Sequence, residues 1–447
     1  MRSATDRTSL LAYMLPAIPL AMLGMPLIIY VPPFYAAELG LELAAVGGIF
    51  FIARAWDAIT DPVIGHLSDR TRGPWGRRKP WIAAGVPLLM ISLYLFLSPP
   101  VAVSKTYLFA VALIFYVAWT TVQIPYLSWG AELSRDYTAR TRINGYRETG
   151  TMIGIILATL LPVVFLREEN PALRDILWVY VVFLLVLLPV AASGATLVTP
   201  KTAFVESGKH GLFSSLKLLF VNKPFVRLII GVFFLWLGGS VMNASLIFTF
   251  EHILQMPRSG FLKFVLIQYL IGIACLPLWV RFGNRYGRHR ALFWGGFGYL
   301  AVQPLYLLVA PGDFSQLLLV ALVHGPIISV IWVMPPALIA DTIEYGMMKG
   351  GSDDAAIYMA VYNFMVKVAF AGGVGIALPL LGILGFQPMG QNDVQAIRGL
   401  IFVGLFLPAI IGVAGAVLLY NHPINKHRHG VIRRWLARKS LMPESLP

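Results

Sequence analysis

The chain has 447 residues; 58% are hydrophobic and only 13% charged, with a mean hydropathy of +0.74. Soluble domains carry about 25% charged residues, so this composition excludes an aqueous globule and requires lipid as solvent. The net charge of +14 sits in short loops and the C-terminal tail rather than along one soluble face, which fits membrane topology and anionic lipid and excludes nucleic acid as a partner.

Apolar runs long enough to cross about 30 Å of hydrocarbon recur through the chain. In order they predict helices over 9–35, 41–66, 80–98, 106–131, 144–166, 175–198, 225–250, 260–282, 290–310, 316–340, 355–384 and 398–420. The first, from Ser9 to Val31, is too long for a signal-peptide core and lacks a small-residue cleavage site. Glu38 and Glu42 follow the first helix, whereas Arg70, Arg72, Arg77, Arg78 and Lys79 follow the second. Lys105 alone follows the third; Arg135, Arg140 and Arg142 follow the fourth. The alternation continues with Lys201, Lys209, Lys217 and Lys223, then Arg285, Arg288 and Arg290, against a lone Asp313 after the ninth helix. The tail adds Lys426, Arg428, Arg433, Arg434, Arg438 and Lys439. By the positive-inside rule both termini are cytoplasmic, in a cell inner membrane. Cys275, the sole cysteine, lies in an apolar run, which excludes a disulfide framework.

The longest internal polar stretch, 199–224, divides the chain into two six-helix halves. The expected organisation is an N-terminal half over 1–200, a cytoplasmic linker over 201–224, and a C-terminal half over 225–447 ending in the basic tail. GHLSDRTRGPWGRRK after the second helix is echoed by RFGNRYGRHR after the eighth, the pattern of parallel repeats about a membrane-normal axis. The fold class that follows is all-α integral membrane, twelve transmembrane helices of major facilitator type, expected to act as a monomer.

The chemistry is expected where polar groups sit deepest. FIARAWDAITDPVIG in helix 2 places Arg54, Asp57 and Asp61 within two turns. Asp57 and Asp61 are spaced i,i+4, so both carboxylates share one helix face about 6 Å apart. Counted from His66, Asp57 is about nine residues, roughly 13 Å, from the helix end. Two ionised carboxylates there repel, and a proton, Arg54 or a bound cation must neutralise them. Oxygen ligands suit a hard ion such as Na⁺, with Thr60 and a helix-4 threonine, Thr120 or Thr121, as further donors. Pro62 frees a nearby helix carbonyl. The competing structural reading is a buried Arg54–Asp57 pair.

In helix 11, Asn363 and Lys367 are also i,i+4, and Lys367 is too deep to snorkel. It is expected to serve the helix-2 acids as an electrostatic partner, or else to bond helix carbonyls. Arg147 opens helix 5, as an interfacial anchor or a substrate ligand. Tyr126, Trp129, Trp332, Gln123, Asn243 and Gln268 are candidate cavity-lining residues, and His324 reads as a packed helix residue. Asp69, Arg77 and Arg78 form an expected charge cluster latching helix ends. The GGVG and GGF runs read as close helix contacts. No Walker motif, zinc spacing or Ser-His-Asp arrangement occurs, so no cofactor beyond a coupling Na⁺ or H⁺ is expected, and no enzyme activity.

ARAWDAITDPVIGHLSDRTRGPWGRRKPWI resembles the signature of the glycoside–pentoside–hexuronide:cation symporters, the melibiose permease group. QIPYLSWGAEL in helix 4, ADTIEYG in helix 10 and MVK in helix 11 extend the similarity over both halves. The resemblance implies that Asp57 and Asp61 are cation-binding carboxylates, with Thr60 and Thr120 beside them. It implies that Trp332 stacks on a sugar ring, and that Arg147 and Lys367 lie near the sugar and cation sites. The sequence departs from sugar-binding members in helix 1, where no acid occurs between Asp6 and Glu38, and in helix 4, where Gln123 replaces an aspartate and Leu127 a tryptophan. The expected function is therefore cation-coupled symport of a small polar solute, a sugar or glycoside, by alternating access. A lysophospholipid-like amphiphile is the alternative substrate. A membrane-embedded enzyme or a non-transporting receptor are the rivals from other classes.

Overall fold

In the computed structural model, the described residues are 6–134, 136–200, 222–349, 355–424, 428–432 and 434–435. Their regular secondary structure is helical, with no β-strand among them. The expected linker, apart from its last residues, and Lys426, Arg433, Arg438 and Lys439 of the tail lie outside them.

The helices are α1 (Arg7–Ile29), α2 (Leu43–Arg70), α3 (Lys79–Leu97), α4 (Lys105–Glu132), α5 (Tyr137–Phe165), α6 (Leu173–Val198), α7 (Lys223–Phe248), α8 (Arg258–Tyr286), α9 (Arg288–Leu307), α10 (Phe314–Met348), α11 (Ala355–Ile383) and α12 (Val394–Tyr420). Among the described residues, eleven are long and apolar enough to cross a membrane. The exception is α9, which opens on Arg288, His289 and Arg290. Proline lies inside α1 to α6 and α8 to α11, which a helix in lipid tolerates because neighbouring groups re-satisfy the freed carbonyls.

The chain forms two compact units. The first comprises Met1–Ser207 with Asn243–Leu266 and Val374–Ile401; the second comprises Gly208–Met242, Ile267–Gly373 and Phe402–Pro447.

Small residues bring the helices of each unit together, as expected where lipid removes the hydrophobic drive between helices. In the first unit, Gly150 and Gly154 of α5 face α1: a Cβ would stand 2.7 Å from the Met14 carbonyl at one and 2.3 Å from that of Ile18 at the other. Large aromatics fill the remaining space, with Tyr13, Tyr116, Tyr126 and Trp129 all essentially inaccessible. In the second unit Gly231 and Gly238 of α7 meet α12 in the same way, and Gly295 and Gly373 pack against Val330 and Ser240.

Charged residues close the helix ends. Arg77 and Arg78 are 8% and 4% exposed, yet both are held by Glu132 at the end of α4: Arg77 Nε donates at 3.0 Å and Arg78 Nε at 2.9 Å. Arg78 also donates to Ser68 and pairs with Asp69. The second unit repeats the device, with Arg288 at the start of α9 pairing with Asp341 of α10 at 2.5 Å. At the opposite end of the first unit, Glu38 accepts from the Arg174 amide at 3.0 Å and from Leu173. Its carboxylate thereby caps the α6 N-terminus. Arg258 binds Glu38 at 2.8 Å and Glu251 at 2.5 Å.

Candidate functional site

The i,i+4 spacing in α2 does what helix geometry requires. Asp57 and Asp61 share the face that packs on α4, and there both meet one side chain. Thr120 Oγ1 lies 2.7 Å from Asp57 Oδ1 and 3.0 Å from Asp61 Oδ1. Asp57 and Thr120 are 0% exposed; Asp61 is half-buried. A hydroxyl has one proton to donate. It can hydrogen-bond to one of the two carboxylate oxygens, and the other then meets it lone pair to lone pair. A proton on one carboxylate, or a cation among the oxygens, relieves that contact.

Arg54 does not supply that charge at hydrogen-bond range. Its nearest approach to Asp57 is Nη1 to Oδ2 at 3.7 Å, and its guanidinium lies over the Tyr116 ring, 4.6 Å from the centroid. Such a cation–π contact supports a partly desolvated arginine. Arg54 therefore moderates the field around Asp57, and its planar donors are not docked on the carboxylate as in a built ion pair. Thr60, next to Asp61, donates its hydroxyl back to the Asp57 backbone carbonyl at 3.1 Å. Its lone pairs remain available to a cation, while its proton is used. Pro62 leaves the Ala58 carbonyl without its α-helical donor.

The other candidate residues lie in different surroundings. Gln123 accepts from the Trp119 indole one turn earlier in α4. Tyr126 and Trp129 face inward within the first unit. Tyr126 donates to the Tyr13 carbonyl at 2.8 Å and stacks on its ring at 4.9 Å. Trp129 donates to Pro200 at 3.2 Å, with the Lys79 ammonium 5.4 Å from its ring centroid. Arg147 pairs with Glu148 at 2.5 Å. In the second unit Trp332 is half-buried against Tyr269, ring centroids 5.2 Å apart, in a tilted arrangement that leaves part of the indole accessible. Asn363 is exposed and Lys367 half-buried on α11. Asn243 belongs to the first unit. Gln268 is buried against His324 Nδ1 at 2.9 Å, where Tyr306 also lies at 2.7 Å.

Sequence reasoning passed over Glu132, although it stands inside QIPYLSWGAEL, because a carboxylate at a helix end ordinarily reads as solvated. It also passed over Tyr116 and Tyr13, whose roles come from packing that no spacing reveals. Among the described residues no group of three or more His, Cys, Asp or Glu side chains could hold a metal ion.

A family model described as MFS/sugar transport protein matches residues 12–426. The chain is similar to "Uncharacterized symporter YjmB" of Bacillus subtilis, 26% identical over 92% of this chain and 91% of that protein. It is similar to "Inner membrane symporter YicJ" of Escherichia coli, 24% identical over 92% of this chain and 90% of that one. It is similar to the human "Sodium-dependent lysophosphatidylcholine symporter 1", 23% identical over 85% of this chain and 76% of that one. In three dimensions it resembles the nucleoside transporter NupG, TM-score 0.63 at 14% identity over 93% of this chain and all of that one. A bacterial homologue of the human lysosomal transporter Spinster, inward-facing, gives TM-score 0.64 at 13% identity over 99% of this chain and all of that one.

Proposed function

Since the chain belongs to the MFS/sugar transport protein family, and is accordingly a multi-pass membrane transporter and not an enzyme, we propose that it couples Na⁺ to the uptake of a small polar solute, a sugar or glycoside. The observation that carries the coupling is the Thr120 hydroxyl set between two carboxylate oxygens, at 2.7 and 3.0 Å, with one proton to offer. Asp57, Asp61 and Thr120 supply oxygen donors to a hard monovalent cation, with Thr60 contributing a lone pair. Two negative charges and one bound Na⁺ leave one charge over, which Arg54 at 3.7 Å offsets. Sodium-dependent relatives support Na⁺ over H⁺.

Binding the cation removes repulsion between carboxylates on α2 and draws α2 and α4 together at mid-membrane. A conformation that holds these oxygens in register is thereby stabilised by ion and solute jointly, which is the thermodynamic content of symport. Trp332 supports the sugar reading: an aromatic face with accessible area suits the apolar face of a sugar ring. Gln123, Asn363 and Lys367 are the accompanying polar candidates. The bias of basic loops supports an inner membrane location with cytoplasmic termini.

A second substrate reading rests on a specific departure. Helix 1 carries no acid between Asp6 and Glu38, and Gln123 stands at the helix-4 position of a sugar-contacting aspartate. Together with the lysophosphatidylcholine symporters among its relatives, this favours an amphiphile. A thermal-shift screen of purified protein against glycosides and lysophosphatidylcholine, in Na⁺ and in choline, tests both. The sugar reading requires stabilisation by a glycoside that is stronger in Na⁺. Stabilisation by lysophosphatidylcholine alone overturns it.

A further inference from the structure

The contact between α2 and α4 has two rungs. Arg54, Asp57 and Asp61 stand at i, i+3 and i+7 of α2 and follow one another along one face, as Tyr116 and Thr120 do at i and i+4 of α4. Thr120 meets the two carboxylates at 2.7 and 3.0 Å. One turn earlier Tyr116 meets Arg54, whose guanidinium carbon lies 4.6 Å from the ring centroid. The Arg54 side chain is 15% exposed and that of Asp57 0%. So little water reaches this guanidinium that the adjacent carboxylate should draw it into a charge-assisted fork. It stops short: Nη1 lies 3.7 Å from Asp57 Oδ2, about an ångström beyond the length of such a bond.

The ring that holds the arginine back is itself fixed. Tyr116 is buried and packs edge-on against Phe115, with centroids 5.4 Å apart. Phe115 in turn packs on Phe96 at 5.0 Å and on Trp119 at 5.9 Å. The Tyr116 hydroxyl is buried and has no hydrogen-bond partner among the described residues. An orphaned buried hydroxyl costs stability, so what this side chain contributes is its ring face, whose negative potential attracts the guanidinium. A guanidinium forked onto Asp57 would put positive charge on the same oxygens that a cation needs. Held over the ring, Arg54 offsets the carboxylate charge from a distance instead.

We propose that Tyr116 is a positioning residue of the cation site: its ring face holds Arg54 back from Asp57 and so keeps the arginine from competing with Na⁺. This inference rests on the reading of Asp57 and Asp61 as the Na⁺ site and extends that site to a residue that need not touch the ion.

The test is equilibrium binding of radioactive Na⁺ to the purified full-length protein. Tyr116→Leu removes the ring face, and Na⁺ affinity should fall roughly tenfold, the scale of a desolvated cation–π contact. Tyr116→Phe keeps the face and should recover most of that loss. In an Arg54→Gln background there is no guanidinium to fall onto Asp57, and Tyr116→Leu should cost nothing further. A loss of the same size in both backgrounds would make Tyr116 a packing residue and overturn the proposal. Tyr116→Phe binding as weakly as Tyr116→Leu would put the hydroxyl to work in place of the ring, and would also overturn it. If Tyr116→Leu fails to fold, fluorinated phenylalanines incorporated in place of Tyr116 decide, because they keep the shape of the ring while draining its negative face. Na⁺ affinity should fall with each added fluorine, and a flat series contradicts the proposal. A parent protein without saturable Na⁺ binding would overturn the coupling reading and this inference with it. A parent that binds Na⁺ no more tightly than a folded Tyr116→Leu protein overturns this inference alone.

Discussion

Thr120 Oγ1 and Asp61 Oδ1 lie 3.0 Å apart across the α2–α4 contact, while the same hydroxyl stands 2.7 Å from Asp57 Oδ1. This one side chain turns two acids on a helix face into a three-oxygen cluster. Thr120→Val keeps the shape and removes the hydroxyl. Losing a hydrogen bond to a charged group costs about 1.5–3 kcal/mol, so Na⁺ affinity should fall roughly ten- to a hundredfold, with Thr120→Ser close to the original. Isothermal titration with Na⁺ reads this directly; unchanged affinity in Thr120→Val would remove Thr120 from the site.

Glu132 neutralises two arginines that are 8% and 4% exposed. Glu132→Gln leaves them facing a neutral amide, while Asp69, 40% exposed, still pairs with Arg78. Stranding buried charge costs about 3–5 kcal/mol. The melting temperature should fall sharply, and Glu132→Gln/Arg77→Gln should recover part of the loss. A single variant as stable as the parent would mean that the latch is dispensable.

Arg258 gathers Glu38, Glu251 and the Pro171 carbonyl. The pairs are 15–23% exposed, so screening reduces their worth to about 1–2 kcal/mol. Arg258→Gln should lower the melting point modestly. Glu38→Ala should cost more, because Glu38 also caps the backbone of α6. Equal losses in the two variants would contradict the capping role.

Burial pushes the His422 imidazole below its ordinary range, and the Arg227 charge adds to this. The folded state therefore favours the neutral ring, and the stability it contributes is present above about pH 6.5, the ordinary histidine value. That stability is lost as pH falls below it. Between pH 8 and pH 5 the melting temperature should drop, and His422→Asn should flatten that drop. An identical pH profile in the variant would show that His422 is not the responsible group.

Much of the fold was legible because lipid imposes a simple rule: spans of about twenty apolar residues separated by charge. Even α9, which fails a strict apolarity test among the described residues, was marked by its flanking basic loop. The carboxylate–threonine cluster was legible in part. The i,i+4 rule put Asp57 and Asp61 on one face and suggested a helix-4 threonine, but choosing Thr120 from the bare sequence required knowing the rotation of α4 against α2, which only packing fixes. Thr121, one residue on, instead donates to Val117 at 2.7 Å. Trp129 illustrates the opposite limit. Its position suggested a lining aromatic, and it is wholly buried against Tyr13 and Pro200, because burial of a tryptophan depends on neighbours distant in sequence. The pairings of Glu132 and Glu38 were not legible for the same reason: their partners lie 54 to 220 residues away.

The central claim, that Asp57 and Asp61 hold the coupling ion, is tested most directly by equilibrium binding of radioactive Na⁺ to purified protein, which needs no knowledge of the solute. Asp57→Asn and Asp61→Asn remove one charge each while nearly preserving shape, and a neutral amide avoids the cost of a buried unpaired carboxylate. The account predicts that both variants melt close to the parent and bind no Na⁺ at concentrations that saturate it. Saturable Na⁺ binding of parental affinity in a folded Asp57→Asn protein would contradict it.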